Sequence, residues 1–169
     1  IVREAFSWRN SDKDKTGAKL TERHSDFVER AQENNISISA LVSGGNTAYT
    51  SESPPKSDDA IAAYADYCGR LAALLKGKAE YTEVWTEYML NGFNIDNLPP
   101  EDYARLLIAS YRAIKKADPD MKVSAFSLPG FSDTVLSGSV GGLSSKEWLR
   151  RVLTYLDENN ALDCFDVVS

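Results

Sequence analysis

The sequence predicts an α/β protein whose strands lie parallel in one sheet, built as part of a (β/α)8 (TIM) barrel. Three observations predict it. Short apolar strands alternate with amphipathic helices along the whole chain, and such alternation builds a parallel sheet. The strands after the first begin near positions 36, 81, 122 and 164, roughly 40 to 45 residues apart. Long loops follow the C-terminal ends of strands, at 43–57, 88–98 and 127–143, whereas brief links precede them. That asymmetry suits a barrel, which has one working face and one structural face.

The elements follow in order. IVREAFSW, Ile1 to Trp8, is expected to be a strand with Arg3 and Glu4 embedded in it, and the polar run Arg9 to Leu20, with Gly17, a loop. A helix is expected over Glu22 to Asn34, with Phe27, Val28 and Ala31 on one face. ISISALV, Ile36 to Val42, is the next strand; Ser43-Gly44-Gly45-Asn46 ends it. From Asp58 or Asp59 the spacing of Ile61, Tyr64, Ala65, Cys68, Leu71, Ala72 and Leu75 marks the buried face of a long helix that Gly77 ends.

The stretch YTEVWTEYMLNGFN, Tyr81 to Asn94, is the third strand, a short one, running into a long aromatic-rich loop with Glu87 at the junction. Period-two alternation would put Glu83 and Trp85 on one side of it. Pro99-Pro100 opens a helix with proline in its favoured first turn; Tyr103, Leu106, Leu107, Ser110 and Ile114 form its inner stripe. KVSAF, Lys122 to Phe126, is the fourth strand. A Gly/Ser-rich loop leads to a helix with the capping-box pair Ser144 and Glu147, and FDVVS at the C-terminus is the fifth strand. Five strands and four helices fit either an open doubly wound sheet or part of a barrel. No glycine-rich phosphate loop follows the first strand, which weakens the nucleotide-binding alternative.

Composition narrows the function. A chain of 169 residues is one domain by length, here residues 1–169. Lys and Arg number 19 against 25 Asp and Glu, a net charge of −6, which argues against nucleic acid or an anionic membrane surface as partner. No apolar run approaches the roughly 18 residues of a membrane span, and no signal peptide is recognisable. The chain opens as if inside a strand, so it is expected to be a piece of a longer polypeptide. Cys68 and Cys164 are the two cysteines, each expected as a small buried hydrophobe. The single histidine, His24, reads as a surface residue at a helix start.

Several residues then carry a likeness. IVREAFSW, EVWTEYMLNGFN, PPEDYARLLIASYRAIKKADPDMKV and LDCFDVVS resemble, in order, successive segments of the clan-A glycoside hydrolases, (β/α)8-barrel enzymes that include families 39 and 5. In that group the fourth strand ends in Trp-Asn-Glu-Pro, and its glutamate is the general acid/base. The resemblance implies a glycosidase that cleaves β-linked oligo- or polysaccharide with retention and needs no cofactor or metal. It implies that the chain runs from strand two to strand six, with the nucleophile's strand outside it, in the remainder of the polypeptide or a partner chain. It favours an extracellular or periplasmic location. Glu87 matches the acid/base, and Arg3 matches the second-strand arginine that braces the nucleophile. Thr86 stands where the family has asparagine, and Tyr88 where it often has proline; threonine has no NH2 donor for a sugar hydroxyl.

Each candidate has a second reading. Arg3 either braces the site or pairs with Glu83 in the core. Trp8, Tyr49, Tyr88 and Phe93 either stack on sugar rings or simply pack, and Trp85 and Trp148 are expected in the core. Asn46 either bonds a sugar hydroxyl or satisfies a turn, as do Asn91 and Asn94. A non-catalytic or degenerate carbohydrate-binding barrel is the alternative to the enzyme.

Overall fold

The computed structural model describes residues 1–11, 19–50 and 53–169, with the side chains of residues 10 and 11 left out. The stretch with Gly17 and part of the loop at 43–57 thus lie outside the described residues. Five parallel strands form one sheet in the order β1-β2-β3-β4-β5: Val2–Ala5, Ile38–Val42, Ala79–Val84, Lys122–Ala125 and Val167–Val168. This sequential order has no reversal, so the doubly wound alternative, which requires a switch point, is excluded. The fold is a partial TIM barrel.

The helices are α1 (Trp8–Ser11), α2 (Glu22–Glu33), α3 (Asp58–Leu74), α4 (Pro100–Ala117) and α5 (Ser145–Glu158), and a 3-10 turn covers Val140–Gly142. Thr21, Ser57 and Ser144 cap α2, α3 and α5 by accepting from the backbone N–H groups of His24, Ala60 and Glu147. The reciprocal half of the Ser144 box is not made, because the Glu147 carboxylate takes Arg150 in a two-bond pair instead. Pro100 occupies the first turn of α4.

Apolar burial between sheet and helices holds the layers together. Ile38, Ala40, Val42, Val84, Val123 and Ala125 face the helices and are buried, against Tyr64, Cys68, Leu71 and Leu75 of the α3 segment and Tyr103, Leu106 and Leu107 of α4. Trp85 and Trp148 join this core. Both cysteines are buried free thiols. Burial pushes the Cys68 thiol up to about 12 and the Cys164 thiol to about 11, so neither is a thiolate at neutral pH.

Three helix tyrosines bolt the C-terminal ends of the strands. Tyr67 Oη donates to the Phe6 carbonyl (3.3 Å), Tyr64 Oη to that of Val42 (2.7 Å), and Tyr103 Oη to that of Val84 (3.2 Å). The Tyr103 oxygen also accepts from the Phe126 N–H at 2.6 Å, so one hydroxyl ties the end of β3 to the end of β4.

Three expectations need correction. The first strand ends at Ala5, and Trp8 opens the short helix α1 rather than closing the strand. Trp85 does not share a side with Glu83: its backbone turns left-handed (φ 59°), which breaks the alternation and sends the indole to Tyr64 and Tyr88 in the helix layer. His24 is not a surface residue. It is 5% exposed, with its ring on Phe6 (4.6 Å) and Nε2 at 3.1 Å from the Ala5 carbonyl oxygen, because the first turn of α2 leans onto the end of β1.

Candidate active site

The opposite, concave face of the sheet carries the polar side chains. Arg3, Ser39, Tyr81 and Lys122 are register partners across four strands, and the next inward row holds Leu41, Glu83, Ser124 and Val167. Along this face a cleft of about 380 Å³ runs from Ile1 and Ser39 past Arg3 and Glu83 to Thr86, Glu87, Ser127 and Ser169 at the C-terminal strand ends.

Glu83 is 3% exposed, and an ionised carboxylate at that depth needs a cation. Arg3 reaches it from two strands away. Its Nε donates to Oε2 at 2.8 Å and its Nη2 to Oε1 at 2.6 Å, a two-bond fork between planar groups. The Glu83 hydrogen bonds, against a smaller desolvation, raise the Arg3 pKa still further, so the guanidinium stays charged. Arg3 therefore pairs with Glu83 and still lines the cleft. Its Nη2 also donates to Thr86 Oγ1 (3.2 Å), and that oxygen lies 3.2 Å from Ser127 Oγ.

Glu87 stands beside this network, half-buried, close enough to Arg3 to add to the field that holds the guanidinium charged. A left-handed backbone (φ 41°) turns it back toward the cleft after Trp85 has turned away. Left-handed geometry also occurs at Phe126 (φ 79°) and Ser127 (φ 42°) after β4. The other described non-glycine residues with positive φ, Asn35, Asn97 and Asn160, are asparagines, which tolerate it. The four strained residues thus cluster at the ends of two adjacent strands, each at a cost of about 1–3 kcal/mol that the surrounding packing must offset.

The remaining candidates lie elsewhere. Trp8 has no exposed surface; it stacks on Tyr49 (5.3 Å) and meets Tyr64 edge-on. Tyr88 is equally enclosed, between Trp85, Tyr103 and Trp148 in the helix layer, and burial raises its pKa beyond any physiological range. Neither leaves a ring face for a sugar. Tyr49 is partly exposed with one face on Trp8. Asn46 is buried and works as a brace: its Nδ2 donates to the Trp8 carbonyl (3.3 Å), and its Oδ1 accepts from the Ala48 N–H (3.0 Å). Asn94 likewise pins its own loop to Tyr88 and Leu98, while Phe93 is 44% exposed. Sequence reading missed Ser127. Its one sequence signal was a place just past the fourth strand, inside a Gly/Ser-rich loop where no single serine stands out.

No protein-family model matches the sequence, and no curated protein matches it. Solved structures do. A family 39 glycoside hydrolase from the gut symbiont Bacteroides cellulosilyticus WH2 superposes with a TM-score of 0.71 at 17% identity, covering 98% of this chain and 31% of that one. A family 44 endoglucanase from Clostridium thermocellum gives 0.52 at 18% identity, covering 85% of this chain and 37% of that one. The chain thus spans about a third of the length of these enzymes. At such identities the likeness is one of fold, that of a glycoside hydrolase barrel.

Proposed function

We propose that this chain is the central part of a retaining β-glycosidase barrel, with Glu87 as general acid/base. The observation that carries the reading is the pairing in the cleft. The concave face presents two carboxylates at the end of β3, and Arg3 takes one of them, Glu83, into a two-bond ion pair. Glu87 is left as the carboxylate available for proton transfer, at the strand end where barrel enzymes keep catalytic groups.

Retention requires a second carboxyl about 5 Å away as nucleophile. Glu83 is unsuited to that part, since its two oxygens hold the guanidinium. The nucleophile is then supplied by a strand outside this chain, and Arg3, whose guanidinium borders the cleft, is placed to brace it. Glu87 protonates the leaving oxygen in the first step and deprotonates water in the second.

In the natural polypeptide, Glu87→Gln should cut kcat for an unactivated β-glycoside by about 10²- to 10⁴-fold, the usual worth of a positioned acid/base. Azide, a nucleophile that needs no base, should restore turnover of an activated aryl glycoside as the β-glycosyl azide. Unchanged rates, or an α-linked azide product, would overturn the reading. A second reading, a carbohydrate-binding barrel without catalysis, draws support from Thr86 in the asparagine's place, its oxygen engaged by Arg3 and Ser127. Under it, sugars bind and Glu87→Gln changes nothing measurable.

A further inference from the structure

The left-handed turn at Phe126 and Ser127 does more than end β4. It carries the Ser127 hydroxyl across to β3, where Oγ lies 3.2 Å from Thr86 Oγ1 while Arg3 Nη2 donates to the same Thr86 oxygen. The protons in this row can be counted. A guanidinium only donates, so Thr86 Oγ1 accepts from Arg3. The two hydroxyls bring two protons, and one of them lies in the bond between the oxygens. One proton remains, and neither hydroxyl has a further partner among the described residues.

The charge at the head of the row decides which hydroxyl keeps it. A cation donating to Thr86 makes the Thr86 proton the better donor, and polarisation runs outward from Arg3 through Thr86 to Ser127. The spare O–H then belongs to Ser127. Exposure agrees: Thr86 is 8% exposed and buried, whereas Ser127 is half-buried and lines the same cleft as Glu87.

We propose that Ser127 is a substrate-binding, specificity-determining residue whose Oγ–H donates to a hydroxyl oxygen of the sugar seated beside Glu87. The assignment rests on the glycosidase reading above. It also gives Thr86 a role, as the link that transmits the Arg3 charge to a neutral donor. An acceptor oxygen on the ligand is favoured there, and a sugar lacking that hydroxyl leaves the row unfinished.

The test uses the natural polypeptide and a set of 4-nitrophenyl β-glycosides, each with its monodeoxy counterparts. Wild type should disfavour one deoxy sugar by about 10- to 100-fold in kcat/KM, and Ser127→Ala should abolish that discrimination while changing the other deoxy sugars little. Thr86→Val should reduce it, and the double variant should be no worse than Ser127→Ala, because the pair supplies one donor. Should Ser127→Ala misfold, Ser127→Gly, which relieves the left-handed backbone, removes the same hydroxyl. Equal losses on every sugar, or discrimination that survives without Ser127, would overturn the assignment while hydrolysis by wild type upholds the glycosidase reading. A calorimetric titration with 1-deoxynojirimycin separates the two claims further. If wild type binds it without hydrolysing any glycoside, and Ser127→Ala weakens binding about ten-fold, the enzyme reading fails and the donor stands. Absence of both hydrolysis and binding removes both.

Discussion

Two buried side chains show what burial demands of a polar group. Glu83, 3% exposed, has both carboxylate oxygens filled by the Arg3 fork, which a lysine, a single-point donor, could not do. His24 takes the opposite course. Burial disfavours the imidazolium and lowers its pKa, a larger effect than the attraction of Glu4, whose Oε1 is 3.7 Å from Nε2; Arg23, on the same Glu4 oxygen, adds to the lowering. The neutral ring donates from Nε2 to the Ala5 carbonyl, and Nδ1 has no partner among the described residues, so a second N–H would be buried unpaired there. The sign follows. With the folded pKa below the ordinary 6.5, the unfolded chain binds the extra proton first, so stability is full above about pH 6.5 and falls as pH drops through that value. Urea midpoints of wild type should therefore decline between pH 7.5 and 5.5, and those of His24→Gln, which keeps a donor for Ala5, should decline less. Equal declines would rule His24 out as the cause.

At the scale of elements, the helices aim the loops as well as cover the sheet. Tyr103 of α4 holds the carbonyl of Val84, one residue before the left-handed Trp85, and the N–H of Phe126, itself the first left-handed residue after β4. Trp85 Nε1 donates to the Phe93 carbonyl (2.9 Å), and the loops after β3 and β4 join at the Leu90–Ser139 bridge. Glu87 and Ser127 are thus positioned by one shared hydroxyl and one loop pairing. In Tyr103→Phe the Phe126 N–H loses its acceptor inside the core, at a cost of about 1–3 kcal/mol in stability. The expected signature is a lower denaturation midpoint together with reduced kcat/KM, since both turns loosen. A full loss of stability with unaltered kinetics would mean that the turns hold without it. At Gly44 (φ 84°) the chain passes so close to Ser7 that an added Cβ would come within 2.9 Å of its Oγ, which explains a glycine where β2 ends.

The whole sheet is open. β1 and β5 each pair on one side only among the described residues, and Ile1 and Val168 at these edges are 74% and 57% exposed. Unpaired strand edges template further strands. The isolated 169-residue chain is therefore expected to self-associate, with a weight-average mass in sedimentation above that of the 18.6 kDa monomer at tens of micromolar. A stable monomer with a closed core would contradict this.

Much of this architecture was legible in the residues. The stripe Tyr103, Leu106, Leu107, Ser110 and Ile114 has helical spacing, and all of it is buried; the loop asymmetry marked the face that holds the cleft. Glu83 needed a cation, and Arg3 was foreseeable as one of few candidates. Periodic burial is a local property, repeated every few residues, so one strand or helix carries enough signal to read. The direction of Trp85, the burial of His24, the enclosure of Trp8 and Tyr88, and the row from Arg3 through Thr86 to Ser127 were decided by the tertiary structure alone. Each depends on contacts between residues distant in sequence or on a backbone turn that side-chain chemistry does not encode. A left-handed tryptophan or serine is unfavourable by itself, and contacts with residues beyond its own turn, Tyr64 for Trp85 and Thr86 for Ser127, help hold it there.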